Sequence, residues 1–69
     1  MATVRHAIKE NDVVELREAV GDWPAGISGT VVSERGKWKL VEISDDQGVM
    51  LDLVSVPEPH LRLIAKHST

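Results

Sequence analysis

Cysteine, tyrosine and phenylalanine are all absent from this 69-residue chain. Without cysteine, neither a disulfide framework nor a thiolate metal cage can stabilise it, so packing or self-association must do so. The aromatic complement is Trp23 and Trp38 alone. Two indoles do not make the multi-aromatic groove that grips a polyproline helix. No stretch approaches the roughly 20 apolar residues of a membrane span, and the opening MATVRHAIKENDVV lacks an uninterrupted apolar core of signal-peptide length. A cytoplasmic protein without a membrane partner is expected. An excess of positive charge is missing too: eleven acidic against eight basic residues leave a formal charge of -3, the opposite of the sign usual in a nucleic-acid domain. A chain this short is one domain that buries only about 60% of its unfolded surface.

What is present is a pattern of short extended segments. GISGTVV, from Gly26 to Val32, sets two glycines three apart in front of a β-branched run, the mark of a sharply bent strand. Before it, DVVELRE (Asp12 to Glu18) puts Val14 and Leu16 on one face, and the stretch from Ala19 to Gly26 breaks regular structure with Gly21, Asp22, Pro24 and Gly26. After it, ERGK turns at Gly36 and WKLVEIS alternates, with Val41 and Ile43 opposite Trp38 and Leu40. DDQG, Asp45 to Gly48, reads as a hairpin turn and VMLDLVSV as a fourth strand. Pro57 and Pro59 lack the amide donors of a ladder, so PEPH predicts a single 3-10 turn before a last strand, LRLI. A competing reading makes NDVVELREAV an amphipathic helix capped by Asn11 or Asp12 with Glu15 behind it. Paired valines and a thin apolar stripe of Val13, Leu16 and Val20 favour the strand.

The expected fold is all-β: a small five-stranded SH3-like barrel with a one-turn 3-10 helix before the last strand. Its core draws on Val14, Leu16, Val31, Val41, Ile43, Leu51, Leu53, Val56, Leu61 and Leu63. Gly29 lies where the strand bends, so that a Cβ there would obstruct a neighbouring backbone. Residues 10–65 form the barrel, with a flexible arm at 1–9 and a flexible tail at 66–69.

DVVEL, GISGTVV and DDQGVMLDLVSVPEPHLRLI together resemble the small bacterial domain of unknown function 4926 family, with Asp12, Val13, Gly29, Thr30, Val31, Pro57, Leu61 and Arg62 in the recurring places. The resemblance spans Asp12 to Ile64 and implies an SH3-like fold without an established activity. It also implies a protein partner encoded nearby, for instance as the antitoxin-like member of a pair. A looser similarity to KOW-type barrels rests on Gly26, Gly29 and Val31 and implies contact with RNA or protein.

Catalytic and metal signals are sparse. His6, His60 and His67 lack metal-ligand spacing and are expected to be solvated. Asp45 and Asp46 belong to turn chemistry, and Ser28 in GISGT lacks the glycine spacing of a nucleophile elbow. No enzyme activity, cofactor, metal or small-molecule substrate is expected. The expected role is a protein-binding or oligomerising module whose contact surface holds Trp23, Pro24, Arg35, Lys37, Trp38 and Lys39. The RGKWK segment carries the alternative of a base-stacking, nucleic-acid-binding patch.

Overall fold

The computed structural model describes residues 7–66. Five strands, β1 (Val13–Leu16), β2 (Ser28–Arg35), β3 (Trp38–Ser44), β4 (Met50–Pro57) and β5 (Leu61–Ala65), form one antiparallel sheet in the order β4-β3-β2-β1-β5. A single 3-10 turn, η1 (Glu58–His60), separates the last two. The arrangement is that of a small SH3-like barrel, as the strand pattern predicts. Asp12 to Val20 holds no helix; β1 sits there instead.

Local chemistry accounts for the turns. Gly36 adopts a φ of 57° between the paired residues Arg35 and Trp38, the left-handed first position of a two-residue hairpin turn. In the β3–β4 turn, Oδ1 of Asp45 accepts the amides of Gln47 and Val49 at 2.9 Å each. This is the side-chain mimicry of a turn for which aspartate is suited.

Seven of the expected core residues are buried: Val14, Leu16, Val31, Val41, Ile43, Val56 and Leu61. Leu63 packs against them. Leu51 and Leu53 do not, being 53% and 43% exposed. The reason is parity: Val56 pairs with Lys39 and Val54 with Val41, so Leu53, opposite Glu42, is on the outer face. Leu51 is the extra residue of a bulge between the Ile43↔Asp52 and Ser44↔Met50 pairs. Val32 and Ile64 occupy the corresponding irregularities of β2 and β5, and both are exposed. The bulges thus turn three β-compatible aliphatics outward.

Ile8, assigned by sequence to the flexible arm, is buried in the core. Around it, the Asp12 carboxylate accepts the amide of Lys9 at 2.8 Å and pairs with Nζ of Lys66 at 3.0 Å. Nζ of Lys66 also donates to the carbonyl of Ala7 at 2.8 Å, so Lys66, assigned to the tail, is tied to the barrel. The remaining arm and tail positions, 1–6 and 67–69, lie outside the described residues. Pro57, expected to end the pairing, is the last residue of β4, opposite Trp38; an edge strand tolerates the missing donor.

Strands β4 and β5 are the two ends of the hydrogen-bonded order, and η1 joins them in the chain. The η1 turn is fastened on both sides: the Glu58 amide donates to the Lys37 carbonyl at 2.6 Å, and the Arg17 amide donates to the His60 carbonyl at 2.8 Å.

Candidate functional site

The six sequence-predicted contact residues divide into three groups. Trp23 and Pro24 sit in the long β1–β2 connection. Within it, Val20 and Trp23 exchange backbone hydrogen bonds of 2.9 Å around Gly21 and Asp22. The Trp23 ring packs against the core, and its Nε1 donates to Oδ2 of Asp52 at 2.8 Å. The indole therefore pins the loop against β4. Trp23→Phe keeps a six-membered ring against the core and removes the pyrrole half of the indole with its donor; because Asp52 is exposed and can rehydrate, we expect about 1–2 kcal/mol lower stability in urea unfolding. An unchanged midpoint would show that the bond contributes nothing to holding the loop.

Lys39 forms a group alone, because it is inside. At 3% exposure it shares the inner face of β3 with Val41 and Ile43, and its Nζ donates to the Gly36 carbonyl at 2.8 Å and pairs with Oε1 of Glu58 at 3.2 Å. It presents no charge to a partner. The alternation that puts Val41 and Ile43 inward already requires this of residue 39.

Arg35, Lys37 and Trp38 remain at the surface, around one end of the β2–β3 hairpin. Trp38 is 46% exposed and faces outward between Arg35 and Pro57. The two tryptophans do not meet: Asp52, which holds Trp23, lies five positions from Pro57, which faces Trp38. At about 3.3 Å per residue they anchor points roughly 16 Å apart, on opposite faces of β4.

Sequence reasoning missed the surface that Trp38 does belong to. Trp38 and Leu40 on β3, with Leu53 and Met50 on β4, share the outer parity of the hairpin, and Leu51 and Val49 continue the row at the turn. Assigning Leu51 and Leu53 to the core concealed it. An open groove on another side of the barrel, beside η1, is bordered by Arg17, Gly26, Lys37, Pro59 and Arg62. Arg62 there is paired with Glu15, and Arg17 reaches the Pro59 carbonyl at 3.4 Å. Its cations are thus already engaged except for Lys37.

Nδ1 of His60 lies 3.8 Å from Oε2 of Glu18; His6 and His67 lie outside the described residues. Among the described residues no group of three or more histidine, aspartate or glutamate side chains is placed to hold a metal ion. None of the described helices is long and apolar enough to cross a membrane. No family model matches the sequence, and no curated protein or solved structure matches it.

Proposed function

We infer that this chain is a non-enzymatic protein-binding module that docks through the outer face of β3 and β4. One observation carries the reading. Trp38, Leu53, Met50, Leu51 and Val49 all stand exposed along a single hairpin, in a chain that has little apolar surface to spare for anything but its core. A run of that size, on the order of 400 Å², is comparable with the largest apolar patch of an ordinary monomer, which often marks an interaction site. A half-exposed tryptophan beside aliphatics supplies the anchor type enriched at binding hot spots.

The buried ionisable side chains Lys39 and Asp12 are each engaged in contacts that hold the barrel together. Base stacking on RGKWK has less to work with, because Lys39 points into the core.

The double variant Trp38→Ser/Leu53→Ser tests the reading. Both side chains face outward, so unfolding stability should change by no more than about 1 kcal/mol. Cross-linking of the native chain to any protein partner, itself included, should be lost. Retained cross-linking in a folded double variant would overturn the docking face.

A further inference from the structure

We propose that the partner on this face is a second copy of the chain, packed face to face about a twofold axis that crosses the β3–β4 hairpin near its middle, with the two hairpins antiparallel. The inference rests on the docking face argued above and names its occupant.

The charges at the two ends of the hairpin carry the argument. At the Trp38 and Pro57 end stand Arg35 and Lys37; at the Ser44 and Met50 end stand Asp45 and Asp46. All four are exposed, and none belongs to an ion pair among the described residues. A twofold contact buries the same patch on both copies, so that patch must complement itself. An antiparallel twofold does this here, setting the basic end of each copy against the acidic end of the other, twice per dimer. The seven residues of β3 separate the ends by roughly 20 Å, more than twice the screening length of about 8 Å in physiological salt. Each end is therefore read separately by its opposite.

The strip between the ends suits two copies that each carry a net charge of -3. Trp38, Leu40, Leu53 and Met50 are uncharged. The one acid among them, Glu42, accepts a hydrogen bond from the Ser44 hydroxyl at 3.2 Å, and Asp52 has the opposite parity. Apart from Glu42, whose charge near the axis is the repulsion that the end charges must offset, like-charged copies meet there over neutral side chains. The apolar area fits as well: about 400 Å² ringed by polar groups is close to the apolar share, somewhat over half, of the roughly 800 Å² per partner in a standard interface.

Charge reversal tests both the dimer and its orientation. The 69-residue chain is followed by sedimentation equilibrium up to about 1 mM, with circular dichroism melts as the control for folding. The wild type should self-associate to a dimer. Lys37→Glu and Asp46→Lys, made separately, should each weaken it about tenfold, because each replaces two attractions by two repulsions. Lys37→Glu combined with Asp46→Lys in one chain should restore it, and mixing the two single variants should yield heterodimers. A wild type that stays monomeric overturns the proposal, as does a dimer indifferent to both reversals. If the wild type is monomeric yet cross-links to a different protein in a way that Trp38→Ser/Leu53→Ser abolishes, this inference falls and the docking face stands. If the monomer instead binds RNA through Trp38, both fall.

Discussion

Replacing Gly29 with valine is expected to leave the chain largely unfolded in water at 25 °C, and Gly29→Ala to cost about 2–3 kcal/mol. Gly29 faces inward opposite Val14, where β2 lies tight against β3. A Cβ added there would lie 2.6 Å from the Glu42 carbonyl oxygen and 2.6 Å from Cγ1 of Val41. The first of these neighbours is backbone held in the β2–β3 ladder, and the second belongs to a side chain at the centre of the core. Neither can move aside without shifting a strand. An opposing effect exists, since alanine reduces the freedom of the unfolded chain and so stabilises by about 0.4–1 kcal/mol. Overpacking of about 1–3 kcal/mol for even well-placed extra methylenes exceeds it, and a contact with backbone lies at the upper end or beyond. Valine adds two more methyl groups to the same space. At roughly 0.05–0.15 kcal/mol per residue the whole barrel has only about 3–10 kcal/mol in hand.

Gly36 is the control, because it is a glycine for a different reason. A Cβ there meets nothing within 4 Å, but its φ is 57°, so Gly36→Ala should cost only the left-handed penalty of about 1–2 kcal/mol. Urea unfolding followed by the fluorescence of Trp23 and Trp38 gives both numbers. A Gly29→Ala variant as stable as the wild type would remove the close crossing from the account of the fold.

The same crossing explains why the fold was legible in the sequence. Glycine ahead of TVV marks a bent strand, and Asp45 with Gly48 marks a hairpin turn, because each rests on local steric or hydrogen-bonding rules that leave few other residues suitable. Strand parity was less legible. Within LDLVSV, leucine and valine occupy both alternating sets, so hydrophobicity alone does not say which set faces inward. The register against β3 decides it, through Val54 opposite Val41 and Val56 opposite Lys39. A bulge at Leu51 then shifts the phase again, and bulges leave no signal in apolar periodicity. The docking face was hidden for that reason, having been counted as core. Lys39 misled in the opposite direction, since its charge suggested solvent while its place in WKLVEIS, in step with Val41 and Ile43, required the interior. Ile8 is separated from the rest of the core by Lys9 to Asp12, and contacts distant in sequence bring it in, its own amide on Glu58 at 3.4 Å and the Asp12–Lys66 pair among them.

Burial of Lys39 leads to a second large effect with an asymmetry that ordinary deletion logic would miss: Glu58→Ala should destabilise more than Lys39→Met. The Lys39 ammonium sits in the wall of the barrel between the Gly36 carbonyl and the Glu58 carboxylate. Removing the carboxylate leaves a charge inside with one neutral acceptor, and breaking a buried pair in this way costs about 3–5 kcal/mol. The Glu58 side chain is 34% exposed, so water can enter beside the ammonium, and we expect about 2–3 kcal/mol. Methionine at 39 instead withdraws the charge while its unbranched chain fills much of the same stem space. Glu58 then keeps the Ile8 amide at 3.4 Å and turns its other oxygen to solvent, the Gly36 carbonyl requires a water, and about 1 kcal/mol is lost. The double variant should therefore be more stable than Glu58→Ala alone, because its second substitution takes away the stranded charge. Lys39 and Glu58 also join the Gly36 turn to η1, alongside the bond from the Glu58 amide to the Lys37 carbonyl. Hydrogen exchange at the Glu58 amide should accelerate in Glu58→Ala more than in Lys39→Met. A double variant less stable than Glu58→Ala would mean that the ammonium finds enough water by itself, and that this contact serves packing rather than charge.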